Sequence, residues 1–198
     1  MSTQDKENTE MLRSGDTLHN PVTGERLVFH ETAAETNGMY TIADCYVTAD
    51  GAVAAPHVHP YQTEVFEVLY GKIGVKLGRE EREAGAGEVI EIEPGVPHKF
   101  WNAGDDELAF RVSVNPSLEW ERLIETMYTL AADGKTNKKG MPNPFRLAVI
   151  AKAHFDDVRL PVVPHSLQRV ALAMGAPIGR ALGYGPTYEP AAGIAATA

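Results

Sequence analysis

The chain has 198 residues and a formal charge of −9, with 43% hydrophobic and 23% charged side chains. That balance excludes a wholly disordered chain, and an acidic surface repels phosphate, so no nucleic-acid partner is expected. Its single cysteine, Cys45, excludes an internal disulfide framework, and its longest non-polar run, Val170 to Gly179, is too short to cross a bilayer, so a cytoplasmic protein with no membrane partner is expected.

Residues 1–20 are polar and without pattern, and read as a flexible N-terminal tail. From 21 to 115 the chain reads as β. Segments 26–31, 39–49, 52–59, 64–70, 72–78, 88–93, 98–102 and 107–114 are short, rich in Val, Ile, Phe and Tyr, and separated by Gly, Pro, Asn or Asp. Ile73, Val75 and Leu77 alternate with polar or small neighbours, as do Leu108, Phe110, Val112 and Val114, which buries one face of each strand. Short strands at even spacing, with no helical pattern between them, predict an antiparallel sandwich or barrel. The run REEREAGAGE reads as a solvated hairpin.

After Asn115 the period becomes helical. Trp120, Leu123, Ile124, Met127, Tyr128 and Ala131 share one helical face, with Ser117 as the expected cap and Gly134 as the stop. Asn143 and Pro144 open a second helix that carries Leu147, Ile150, Ala151 and Phe155. A third, amphipathic pattern runs through Leu167, Val170, Ala171, Met174, Ile178, Ala181 and Leu182, and Pro177 is expected to kink or split it. Residues 116–198 are therefore a helical extension, with a loose end from Tyr184.

The residues that could carry chemistry concentrate in GAVAAPHVHPYQTEVFEVLYG, residues 51–71. His57 and His59 are two apart on a predicted strand and point to one face. Glu64 follows Pro60, where a turn can bring the next strand back beside His59. Two imidazoles and a carboxylate at one point make a site for a divalent transition metal. A second block, GEVIEIEPGVPHKFWN, residues 87–102, adds His98 and Asn102.

The two blocks resemble the two cupin motifs. The pattern G(X)5HXH(X)3,4E(X)6G is met at Gly51, His57, His59, Glu64 and Gly71. The pattern G(X)5PXG(X)2H(X)3N is met at Gly87, Gly95, His98 and Asn102, while Glu93 stands at the proline position and Pro94 follows it. The resemblance covers residues 21–115. It implies a mainly β fold, an antiparallel jelly-roll barrel, here with an α-helical C-terminal extension. It also implies that His57, His59, Glu64 and His98 bind one divalent metal ion: Fe, Mn, Ni, Zn or Cu.

Strand parity fills in the lumen. Val53 and Ala55 share the face of His57 and His59, Phe66, Val68 and Tyr70 that of Glu64, and Phe100 and Asn102 that of His98. Phe66, Val68, Phe100 and Asn102 are the expected substrate pocket, an apolar lining with few polar anchors for a small organic substrate. Opposite parity puts Val58, Val65, Leu69 and Trp101 on the outer face, to be covered by the helices or by a second subunit, and a homodimer is expected.

The expected function is a mononuclear metal-dependent enzyme acting on that substrate, a dioxygenase-like oxidoreductase with Glu64 as the candidate catalytic base. A small-molecule-binding or sensing protein without turnover, and a metal-dependent isomerase or lyase, are the alternatives. His19, His30, His154 and His165 read as structural or surface residues, Arg111 as solvated or salt-bridged with an anchor for an anionic substrate as the alternative, and Cys45 as buried and inert.

Overall fold

The computed structural model describes residues 12–189. Nine strands form: β1 (Thr17–Asn20), β2 (Glu25–Glu31), β3 (Thr41–Val47), β4 (Thr63–Tyr70), β5 (Lys72–Leu77), β6 (Glu80–Gly85), β7 (Val89–Ile92), β8 (His98–Asn102) and β9 (Leu108–Asn115). Three helices follow: α1 (Trp120–Ala132), α2 (Pro144–Ala153) and α3 (His165–Ala181).

The strands make a six-stranded antiparallel sheet, β1-β2-β3-β9-β4-β7, and a three-stranded one, β6-β5-β8. This is the sandwich that the alternation predicts and is consistent with the jelly roll that the resemblance implies, built as two sheets around one core rather than as a continuously bonded cylinder. The buried faces are those of period two: Leu108, Phe110, Val112 and Val114 on β9, Phe66 and Val68 on β4, Ile73 and Val75 on β5. At the centre the Phe66, Phe100 and Phe110 rings meet edge to face or tilted, 4.9–5.6 Å apart. Segment 52–59, predicted as a strand, is an irregular edge beside β8. Against β8 it forms bridges only at Ala52–Trp101 and His57–His98, because Ala54 and Ala55 bend and Pro56 has no N–H to donate, and on its other side Val58 pairs with Arg159.

Both ends of the chain depart from the sequence reading. Within the expected tail, Thr17–Asn20 pairs with β2 and Leu12 is buried; the stretch Thr-Leu-His-Asn is too short and mixed to show a period. Residues 1–11 and 190–198 lie outside the described residues. The expected loose end is held as far as Tyr188, whose ring and that of Tyr184 stack on the Arg146 guanidinium and whose hydroxyl donates to Asp133. The expected solvated hairpin is strand β6, with Glu80, Glu81, Arg82 and Glu83 exposed.

The helices form where their period predicts, but with different partners. Helix α1 bridges the molecule: Trp120 and Tyr128 enter the sheet core, and Leu123 and Leu130 pack with Ile150 of α2. Its cap is not Ser117, which is buried and accepts from the Thr41 hydroxyl; Asp157 accepts from the Glu119 N–H instead. Gly134 does end it, at a φ of 65°. Asn143 caps α2 by accepting from the Phe145 N–H.

Helix α3 runs unbroken through Pro177 and turns its predicted face outward. Leu167, Val170, Met174 and Ile178 are about half exposed or more, whereas Gln168, Ala176 and Gly179 are buried. Small residues allow a close approach to α2: a Cβ on Gly179 would stand 2.3 Å from the Phe145 carbonyl oxygen. The short side chains therefore take the packed side and the bulky ones are left out.

Candidate metal centre

Four side chains from three segments converge at one end of the fold. His57 and His59 come from the irregular edge beside β8, His98 opens β8, and Glu64 lies on β4, held in register between Ile92 of β7 and Val114 of β9. One ligand atom from each lies within 4.8 Å of all the others. Glu64 Oε2 is 2.8 Å from His98 Nε2, and Oε1 is 3.6 Å from His59 Nε2. His59, Glu64 and His98 are buried, and His57 is the least covered of the four.

Backbone carbonyls fix the imidazole tautomers. His57 Nδ1 lies 2.9 Å from the Ala55 carbonyl oxygen, His98 Nδ1 3.0 Å from that of Val96, and His59 Nδ1 2.6 Å from that of Asp157. A carbonyl only accepts, so each Nδ1 carries the proton and each Nε2 turns a lone pair inward. Burial, reinforced by the neighbouring His98 and His59, holds the His57 pKa down at about 3. Burial also pushes Glu64 up, but the three imidazoles outweigh it, and the carboxyl lies at about 2. Burial opposes protonation of His98, yet its contact with Glu64 raises its pKa above the usual value.

Three inward Nε2 atoms beside one ionised carboxylate are the donor set of a divalent first-row transition metal. With Nδ1 holding the imidazole proton, the buried His98 Nε2 and Glu64 Oε2 turn lone pairs toward each other at 2.8 Å, an arrangement that a shared cation relieves. The four residues therefore fit a metal, and could hold it with coordination positions to spare.

The remaining sequence candidates lie elsewhere. Phe66, Val68 and Phe100 are buried in the sheet core, two or four residues from Glu64 or His98 on the same strands. Asn102 lies four residues along β8, about 13 Å away, and its amide donates to the carbonyls of Val47, Thr48 and Asp106. Tyr70 does not share Glu64's face. A bulge between Val68 and Tyr70 turns it out to donate to Glu107. Val58, expected on the outer face under the extension, is buried, its backbone paired with Arg159 of that extension. Arg111 pairs with Asp44 at 2.8 Å, and Cys45 is buried, with burial pushing its thiol well above the usual range.

Sequence reasoning missed two residues. Gln62, fully buried, presents Oε1 to His59 Nδ1 at 3.1 Å and donates from Nε2 to the Pro116 and Ser117 carbonyls. Asp157 supplies the carbonyl described above. Gln62 stands at an unspecified position of the motif, and a main-chain carbonyl 98 residues downstream leaves no residue-type signal.

Residues 46–115 match the family model described as a cupin domain. The fold is similar to that of a sugar phosphate isomerase from a cupin superfamily in Silicibacter pomeroyi, at 17% identity and a TM-score of 0.43, over 48% of this chain and 62% of that one. It is also similar to a predicted oxalate decarboxylase from Thermotoga maritima, at 19% identity and a TM-score of 0.46, over 54% of this chain and 98% of that one. A third likeness is the Schizosaccharomyces pombe Cnp3 cupin domain, at 12% identity and a TM-score of 0.43, over 46% of this chain and 64% of that one. The chain thus spans less than two thirds of the isomerase and of the Cnp3 domain. No curated protein matches the chain.

Proposed function

We propose, from the match of residues 46–115 to a cupin domain, that the chain is a cupin and a mononuclear metal-dependent enzyme acting on a small organic substrate, with dioxygenase-like oxidoreductase chemistry. One observation carries the reading: three imidazoles locked as Nδ1–H tautomers turn Nε2 toward one ionised carboxylate, all within 4.8 Å. When bound, a redox-active divalent metal supplies Lewis acidity and open positions for substrate and dioxygen. His57, His59, Glu64 and His98 hold it. Glu64 Oε1, the oxygen farther from its nearest imidazole, is the atom placed to take a proton from substrate. The Phe66, Phe100 and Phe110 rings below the cluster exclude water from that side. Phe66, Val68 and Phe100 remain the proposed pocket residues, acting through this apolar floor, while the Asn102 amide is committed to the carbonyls of Val47, Thr48 and Asp106.

The proposal extends to a homodimer in the cytoplasm. The exposed apolar stripe of α3 supports the dimer, the lone buried cysteine a reducing compartment, and the charge of −9 a small-molecule partner rather than nucleic acid. No helix among the described residues is long and apolar enough to cross a membrane.

The test is elemental analysis of protein purified without chelators, with oxygen uptake followed on candidate substrates. About one metal per chain and substrate-dependent uptake are expected. Replacing His57 and His59 together with Ala should abolish stoichiometric metal and leave the far-ultraviolet spectrum folded. Full metal occupancy in that double variant would overturn the reading. Metal-dependent turnover without oxygen uptake would move it to an isomerase or lyase, and binding without turnover to a sensing protein.

A further inference from the structure

The three imidazoles are not supported alike. His57 and His98 each direct Nδ1 to the carbonyl two residues earlier in their own segment, so the strand that carries the ligand also orients it. His59 takes its acceptor from Asp157, 98 residues downstream and outside the region that matches the cupin family model.

The loop carrying that carbonyl is braced at several points. Asp157 is buried; its Oδ1 accepts from the Glu119 N–H at the start of α1, and Oδ2 lies 3.3 Å from His154 Nδ1. Two residues on, the N–H groups of Arg159 and Val58 donate to each other's carbonyls at 3.0 Å, tying the loop to the edge that bears the two histidines. The Arg159 guanidinium, itself buried, donates to the Phe155 carbonyl and to Asp156. Gln62 makes a second link. Its Nε2 faces the Pro116 and Ser117 carbonyls, which only accept, so Oε1 is the atom left for His59.

We infer that the helical extension is a working part of the metal centre, with Gln62 and the Asp157 loop acting as positioning groups that fix the His59 imidazole. Both act through His59 and neither has an atom in the ligand set. The inference rests on the metal-binding reading above. Groups that orient a ligating imidazole through its second nitrogen typically contribute about 10–100-fold to metal affinity.

The test titrates the full-length protein with Co(II) alone, reading its visible absorption and, by chelator competition, its affinity, with thermal unfolding of the metal-free protein in parallel. Gln62→Leu removes the contacts to His59 and to the Pro116 and Ser117 carbonyls at nearly constant volume. Asp157→Ala frees the loop from α1, and Asp157→Asn keeps an oxygen for the Glu119 N–H. The expected result is affinity about 10–100-fold lower with an altered cobalt spectrum in Gln62→Leu and Asp157→Ala, and near-wild-type values in Asp157→Asn. Ile73→Ala, a core change opposite Asn102 at the far end of β8 from His98, should lower the melting temperature without moving the spectrum. If Asp157→Ala does not fold, Gln62→Leu decides alone. Wild-type binding with an unchanged spectrum and affinity in the folded variants overturns the inference and leaves the metal reading standing. Failure of the wild-type protein to bind one Co(II) overturns the metal reading, and this inference with it.

Discussion

Glu25, the first residue of β2, is a buried carboxyl outside the metal cluster. The Thr23 hydroxyl donates to it at 2.6 Å, and Tyr128 of α1 adds a second hydrogen bond. Burial dominates these bonds and raises its pKa from 4.5 to about 7. Because the folded-state value is the higher one, the stability it contributes is fully present below pH 4.5 and is lost as pH rises through about 7. A shift of that size corresponds to about 3 kcal/mol. Urea midpoints measured from pH 5 to 8 should fall for the wild-type protein relative to Glu25→Gln; parallel curves would remove the argument. Nothing in the sequence marks Glu25, since one acidic residue in an alternating strand looks like any solvated charge. His57, His59, Glu64 and His98 were legible because their types and spacing are rare together. Gln62 and Asp157 were not, because the groups that matter there are an amide and a main-chain carbonyl.

At the scale of the element, periodicity reveals that α3 exists but not which way it faces. The stripe from Leu167 to Leu182 reads as the face that packs; instead Gly175, Ala176 and Gly179 meet α2 and the stripe is solvated. An amphipathic period states that two faces differ, and leaves open whether the apolar one meets its own chain or another. The two faces should respond differently to mutation. Met174→Lys, at a side chain 70% exposed, should change monomer stability by less than about 0.5 kcal/mol, while light scattering shows the proposed dimer giving way to monomer. A wild-type protein that is already monomeric at micromolar concentration removes that proposal. Gly179→Ala should cost about 1–3 kcal/mol in chemical unfolding by forcing α3 off α2. Bulges and broken edges, as at Tyr70 and at Ala54 to Pro56, were illegible for a related reason: parity counts residues and does not register an inserted one.

At the scale of the molecule, the family match and the folded unit have different limits. Residues 46–115 begin inside β3 and omit β1 and β2, whose Leu27 and Phe29 belong to the central core. They also omit Trp120 and Tyr128, which α1 inserts into that core. A chain cut to 46–115 should therefore lack a cooperative thermal transition and a near-ultraviolet signal, whereas a chain of residues 12–189 should keep both. An antiparallel β-sandwich or barrel was legible in the alternation over many short strands, and the jelly roll in the two motifs. How the extension joins it was not, because contacts such as Val58 with Arg159 depend on backbone pairing between segments with no shared pattern.

That pairing bears on how the chain behaves in a crowd. A small sheet has two open flanks, each a template on which a second chain could add a strand. On one flank β6 carries Glu80, Glu81, Arg82 and Glu83, whose charges repel such an addition. The other flank, at His57 and Val58, bears no comparable row of charges, and there the main chain around Arg159 occupies the position a foreign strand would take. The residues that steady His59 thus also act as a seal, and a chain that releases them exposes an aggregation-prone edge beside its metal ligands.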